Sequence, residues 1–245
     1  MRILTTIILV AAVLLTGCSR KENEKVYSFV ERKGAGFVLD GKEYRYVGTN
    51  FWYGAILGSE GQGGNRERLC RELDKLHELG LDNLRILVGS DGLRGVTTKV
   101  EPTLQEAPGV YNDTILAGLD YLLQQMGERG MKAVLYLNNA WEWSGGYGFY
   151  LEHAGAGKAP RPNETSYPEY MNFVSLFSTN TKAQELFFQY VRDIISRTNR
   201  YTNVPYVDDP TIMSWQIGNE PRAFSEEAKK PFVKWLSKTS KLIYE

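Results

Sequence analysis

The sequence predicts an α/β fold in which four strand–helix units share one parallel sheet. Three observations predict it. Short, nearly continuous apolar runs alternate with amphipathic stretches of helical period. Glycine follows the first two amphipathic stretches, at Gly80 and Gly130. Polar and aromatic residues gather where each apolar run ends.

The elements follow in order. Ser28–Glu31, Phe37–Leu39 and Glu43–Val47 read as a short β-hairpin, with Asp40-Gly41 as its turn. A strand at Tyr46–Phe51 leads to a helix near Asn65–Leu79, which presents Leu69, Leu73 and Leu76 on one face. A strand at Asn83–Val88 precedes a helix near Asn112–Arg129, which presents Ile115, Leu119, Leu122, Leu123 and Met126. The strand Lys132–Leu137 is followed by a long loop from Asn138 to about Thr179. A helix near Thr181–Thr198 buries Leu186, Phe187, Tyr190, Ile194 and Ile195. The strand Thr211–Ile217 comes next, and Pro231 sits in the first turn of a last helix.

A doubly wound sheet and a closed barrel share this alternation. No strand is followed by a Gly-x-Gly-x-x-Gly turn; Gly61-Gln62-Gly63-Gly64 reads as a flexible loop. Phe51-Trp52-Tyr53, Arg85, Asn138-Asn139 with Trp141, and Asn219-Glu220 fall at or near the C-terminal strand ends. In a barrel that end is the active-site face. Strand starts near 46, 84, 132 and 212 lie about 55 residues apart on average. Eight such units would need roughly 440 residues. The expectation is therefore the N-terminal half of a (β/α)8 TIM barrel, a truncated chain with an open sheet edge.

Composition narrows the function classes. With 29 basic and 29 acidic residues the net charge is zero, and no basic stretch suits a phosphate backbone, so nucleic acid is not an expected partner. Two His and two Cys leave no expected metal site, and no cofactor is implied. Cys70 lies beside Leu69 and Leu73 in a helical pattern and reads as an inert buried thiol. His77 shares that helix and reads as structural; His153 falls in the long Gly-rich loop, within possible reach of a ligand. Residues 1–17 read as a signal peptide, with Met1-Arg2 before the apolar run Ile3–Leu15. The ending Leu15-Thr16-Gly17-Cys18 resembles a bacterial lipobox. That resemblance implies lipidation at Cys18, a polar tether over 18–27, and, with Ser19 next, an outer-membrane lipoprotein facing the periplasm or the cell surface. The domain itself is expected over 28–245.

Glu220 ends an apolar strand and precedes Pro221, which favours extended geometry at the glutamate. Among apolar barrel walls its carboxyl would titrate high enough to act as a general acid. Taken alone, Asn-Glu-Pro fits a surface or capping glutamate equally well. The wider set is more specific: Gly48-Thr49-Asn50-Phe51-Trp52, Asn83-Leu84-Arg85-Ile86, Leu135 to Trp141 with Gly145-Gly146, and Trp215 to Arg222. In this order they resemble the β-mannanases of glycoside hydrolase family 5, a family of retaining (β/α)8 hydrolases.

The resemblance implies a polysaccharide substrate of β-1,4-mannan type, cleaved by a two-carboxylate retaining mechanism. It implies Glu220 as acid/base, Asn219 as the partner of the sugar 2-hydroxyl, and Arg85 as the arginine that orients the nucleophile. Trp141 would be a sugar platform, with Trp52 and Trp143 as weaker ones. The family's nucleophile is a Glu after the seventh strand, which has no counterpart here, so the fragment alone is expected to be inactive. Glu142 follows the third strand and does not match that motif. A cellulase or other β-glucan hydrolase, and a non-catalytic surface glycan-binding lipoprotein, are the alternatives.

Overall fold

A computed structural model describes residues 28–92, 95 and 99–245. Cys18 and the signal and tether segments lie outside the described residues.

The chain opens with β1 (Glu31–Lys33), β2 (Gly36–Leu39) and β3 (Lys42–Tyr44), an antiparallel three-stranded meander. The sequence had suggested a hairpin beginning at Ser28. The first strand instead spans Glu31–Lys33, and all three runs pair as one meander. Asp40 and Gly41 both take positive φ, 53° and 74°, as a two-residue hairpin turn requires.

The main sheet contains β4 (Gly48–Asn50), β5 (Asn83–Leu87), β8 (Lys132–Tyr136) and β9 (Ile212–Gln216), all parallel and in the order β4-β5-β8-β9. Consecutive strands are neighbours and the order never reverses. That distinguishes a barrel wall from a doubly wound sheet, which reverses at a switch point. The sheet is half of a (β/α)8 barrel. It does not close, so β4 and β9 are its edges. Between β5 and the next helix lies a small antiparallel pair, β6 (Gln105–Ala107) and β7 (Val110–Tyr111), which the sequence reading missed.

The two faces of the sheet differ in chemistry. Leu84, Ile86, Ala133, Leu135 and Ile212 join the apolar core beneath the helices. The alternate residues Asn50, Arg85, Val134, Ser214, Tyr136 and Gln216 form the other face, in register across the sheet. This is the period of two expected of strands. Between Ala133 and Val134 the register with β9 shifts from Ile212 to Ser214, leaving Met213 as an extra residue.

The helices are α1 (Gly54–Leu57), α2 (Arg66–Glu78), α3 (Asp113–Glu128), α4 (Tyr147–His153), α5 (Tyr167–Ser175), α6 (Thr181–Ile195) and α7 (Lys229–Tyr244). Asparagines cap three of them. The side chains of Asn65, Asn112 and Asn180 accept the backbone N–H groups of Arg68, Thr114 and Ala183 at 2.8, 3.1 and 2.9 Å. Gly80 and Gly130 end α2 and α3 with φ near +70°, as anticipated. Gly118 lets α3 lie against α1, because a Cβ there would sit 2.1 Å from the carbonyl oxygen of Ala55. The supposed loop from Asn138 to Thr179 contains α4 and α5. Their aromatic side chains, Tyr147, Phe149, Tyr150 and Tyr170, are buried.

One buried charge ties the layers together. Asp120 on α3 has no exposed side-chain surface. It accepts hydrogen bonds from Arg197 Nε and Nη2 at 2.9 and 2.6 Å, Arg200 Nε at 3.3 Å and Tyr206 Oη at 2.6 Å. These partners lie on the connection from α6 to β9, so Asp120 fixes how the fourth strand enters the sheet. Removing one side of such a pair strands the other. Asp120→Ala should therefore lower unfolding free energy by about 3–5 kcal/mol in urea titrations. A loss below about 1 kcal/mol would place the pair among ordinary surface contacts.

Candidate active site

Arg85 lies at the middle of β5, on the sheet face turned away from the helices. Its guanidinium stacks over Tyr136, 4.1 Å from the ring centroid. Nε donates to Gln216 Oε1 at 2.7 Å, Nη1 to Asn50 Oδ1 at 3.2 Å and Nη2 to Asn219 Oδ1 at 3.2 Å. All three acceptors are neutral amides. Among the described residues no carboxylate lies within ion-pairing distance of Arg85. It therefore stands as a fixed cation in an open groove of about 280 Å³, lined by Tyr46, Asn50, Asn83, Arg85, Val134 and Gln216.

Beyond the strands, β8 and β9 stay paired. Asn219 N–H donates to the Asn138 carbonyl at 2.7 Å, and Ala140 N–H donates to the Asn219 carbonyl at 3.0 Å. The Asn219 side chain donates to Asn139 Oδ1 at 3.1 Å. This pairing brings Glu220 beside Trp141. Glu220 Oε2 accepts the indole N–H of Trp141 at 2.7 Å and Nη2 of Arg222 at 2.9 Å. Arg222 also lies over the indole, 5.0 Å from its centroid. Two donors converge on one oxygen, so Oε1 remains available.

Two expectations about Glu220 are corrected. It takes φ of +47° instead of an extended conformation before Pro221. The ladder bond from Ala140 to the Asn219 carbonyl holds the chain until the last residue, and the turn then falls on Glu220 itself. Positive φ on a residue other than glycine is costly and concentrates at functional sites. Nor is the carboxyl enclosed by apolar walls. Its side chain is 53 % exposed, because the sheet presents no opposing wall to it. At that exposure the ion pair with Arg222 is worth about 0–1 kcal/mol, so its contribution is geometric.

Gly145-Gly146 has a steric reason. Their φ values are 90° and 77°, and a Cβ on Gly146 would sit 1.9 Å from the Asn139 carbonyl oxygen. Trp141 is packed among Tyr167, Tyr170 and Phe224, with Arg222 over it. Its observed task is thus to hold Glu220. Trp52, 41 % exposed, follows β4 and borders a separate shallow pocket with Tyr53, Ile56 and Arg68. Trp143 borders a cavity of about 140 Å³ with Lys99, Glu142, Phe149 and Arg161. Glu142 is met by the Tyr167 hydroxyl at 3.4 Å.

His153 ends α4 rather than lying in a loop, and its Nδ1 is 2.8 Å from the Phe149 carbonyl. His77 faces Asp82 at 2.5 Å. Cys70 is half-buried, near Tyr121 and Gln125. Among the described residues no group of His, Cys, Asp and Glu is arranged to hold a metal.

The sequence reading missed Asn50 and Gln216 as partners of Arg85. It also missed Asp91, a carboxylate only 1 % exposed that accepts Asn138 Nδ2 at 3.2 Å. Ser90-Asp91-Gly92 after an apolar strand was the available signal.

With this geometry in place, comparisons with known proteins agree. The family model described as glycoside hydrolase family 5 β-mannosidase-like matches residues 27–245. A putative mannan endo-1,4-β-mannosidase of Arabidopsis thaliana is 27 % identical over 244 residues, covering 99 % of this chain and 55 % of the relative. A mannan endo-1,4-β-mannosidase of Oryza sativa subsp. japonica is 30 % identical over 209 residues, covering 85 % and 44 %. The crystal structure of a family 5 mannosidase from Rhizomucor miehei superposes with a TM-score of 0.78 at 32 % identity, covering 88 % of this chain and 54 % of that one. The chain spans about half the length of the relatives it matches.

The contact between Trp141 and Glu220 is directly testable. A hydrogen bond to a carboxylate moves an indole N–H signal downfield. In a two-dimensional NMR spectrum the Trp141 indole peak should move upfield in Glu220→Gln, while the other indole peaks stay in place. An unmoved peak would break the assignment of that bond.

Proposed function

The chain belongs to the glycoside hydrolase family 5 β-mannosidase-like group, and from that premise we propose that it carries the acid/base half of a retaining active site for β-1,4-mannan-type polysaccharides. The observation that carries this reading is Glu220 at the C-terminal end of β9, one oxygen fixed by Trp141 and Arg222, next to the Asn219–Arg85 pair.

Glu220 protonates the departing glycosidic oxygen through Oε1 and then takes a proton from the incoming water. Asn219 meets the 2-hydroxyl of the sugar being cleaved. Its Oδ1 is already engaged by Arg85 and its Nδ2 by Asn139, so the amide is fixed before substrate arrives. Arg85 orients the second carboxylate, which a retaining mechanism places about 5–5.5 Å from the first. The resemblance implies that nucleophile after a seventh strand, and the four barrel strands described hold the other half of the site. The exposed Trp52 offers apolar surface to sugar rings, and Trp141 would do so only where Tyr170 and Arg222 leave its ring uncovered.

Glu220→Gln tests the role in protein made from the complete reading frame that contains this chain. Hydrolysis of β-1,4-mannan should fall by about 10²–10⁴-fold, with mannan binding retained. Undiminished turnover would remove Glu220 from the mechanism, and faster cleavage of β-1,4-glucan than of mannan by the unaltered protein would reassign the substrate.

The location is proposed on the sequence alone: Cys18 carries a lipid that anchors the protein in the outer membrane. Cys18→Ala should move the protein from the membrane fraction to the soluble one. An unchanged membrane fraction would argue against the anchor.

A further inference from the structure

Asp91 follows β5 and is buried beneath the Gly145-Gly146 turn. Its Oδ1 accepts Gln105 Nε2 at 2.9 Å, its Oδ2 accepts Asn138 Nδ2 at 3.2 Å, and the Gly146 backbone N–H also donates to it. Its own backbone N–H donates to the Ser144 carbonyl at 3.0 Å. Asn138 is the link onward, because its carbonyl accepts the N–H of Asn219, the residue before Glu220. The same Asn138 has an anomaly. Its Oδ1 is buried without a hydrogen-bond partner. An orphaned acceptor in a buried network calls for an explanation.

We infer that Asp91 is a positioning residue for the strand end bearing Asn219 and Glu220, acting through Asn138, and that the proton on Asp91 decides which way the Asn138 amide faces. The catalytic consequence rests on the acid/base reading of Glu220; the coupling of Asp91 to Asn138 does not. With Asp91 ionised, its carboxylate takes the Nδ2–H of Asn138, the arrangement observed. A protonated carboxyl has an O–H to donate, and the oxygen of a rotated Asn138 amide is its acceptor. Rotation satisfies Oδ1 and moves the unpartnered place to Nδ2, so the Asn138 amide changes its environment with the proton.

The surroundings place this change near neutrality. Burial pushes the Asp91 carboxyl up to about 7, opposed by the bonds from Gln105 and Gly146 and by the charge of Lys99. The other titratable groups facing it are Tyr111 on β7, Tyr150 on α4 and Tyr190 on α6, all driven upward chiefly by burial and therefore neutral. Lys99 is itself pushed down by burial and up by Asp91. Folding thus raises Asp91 from 3.8 to about 7, so the folded chain keeps a proton that the unfolded chain releases across that window. Stability contributed by this group falls as pH rises through the window and is level above it.

The isotope-labelled 245-residue chain allows a direct test. The Asn138 side-chain amide and the Asn219 backbone amide are followed by NMR from about pH 5 to about pH 9. Both should shift with one midpoint near 7, matching the carboxyl carbon of Asp91. In Asp91→Asn both should be flat. A flat Asn219 signal in the unaltered chain, or an unchanged titration in Asp91→Asn, overturns the proposal. Should that variant fail to fold, agreement or disagreement of the midpoints in the unaltered chain decides. In protein from the complete reading frame, Asp91→Asn should lower kcat about tenfold with KM little changed and remove the limb of the pH–rate profile near 7. A pH–rate profile that keeps this limb would overturn the catalytic part. Failure of the Glu220 reading appears separately, as retained turnover in Glu220→Gln.

Discussion

Two backbone hydrogen bonds past the ends of β8 and β9 hold this site together. The N–H of Asn219 meets the carbonyl of Asn138, and the N–H of Ala140 meets the carbonyl of Asn219. They extend the ladder by one step after the apolar strands have finished. Without that step the two tips would diverge with the twist of the sheet. With it, Trp141 and Glu220 emerge side by side, and the Asn219 side chain remains aligned with Arg85. Asp91 supports the same joint from below through Asn138. The left-handed conformation of Glu220 is what remains when pairing is kept to the last possible residue.

The sheet serves two solvents. Its helix side is closed by leucine, isoleucine and aromatic side chains, and the burial of each is worth about 1.5–3 kcal/mol. Its other side carries Asn50, Arg85, Tyr136 and Gln216. A guanidinium held only by amides and an aromatic face is positioned without being neutralised. Its charge stays available to an anion arriving in the groove, whereas the guanidinium of Arg197 is already matched to a buried carboxylate. The contrast separates an arginine matched to a carboxylate from one held by neutral partners alone.

Much of the fold was legible because period and punctuation agreed. Leu69, Leu73 and Leu76 end at Gly80, and Asp40-Gly41 forms the turn its residues call for. The segment after Asn138 was not legible. Its helices are short, Tyr147 and Tyr150 bury their rings against distant partners such as Phe177 and Trp235, and Tyr170 meets Trp141 and Phe224. No local period reports such contacts. The place of Glu220 at a strand end was legible, but its exposure was not. Asn-Glu-Pro marked a strand end, yet the surroundings of Glu220 depend on which walls face it, a property of closure rather than of the motif. Asn50 and Gln216 were hidden for a related reason, since only the register across strands makes them neighbours of Arg85.

The extra residue at Met213 gives the fourth strand a counting role. Ile212 faces the helices; after the shift, Ser214 and Gln216 face the groove and Trp215 faces back toward the core. Were Met213 taken into the ladder, every later residue would slip one place. Trp215 would be turned into the groove, Gln216 would leave Arg85, and Gly218 would stand where Asn219 now meets Asn139. The position of Glu220 is therefore written in the length of the strand as much as in the identity of its last residues. A lineage carrying this fold could exchange many side chains along β9 freely, but a single inserted or deleted codon there would move Glu220 away from Trp141 and Arg222.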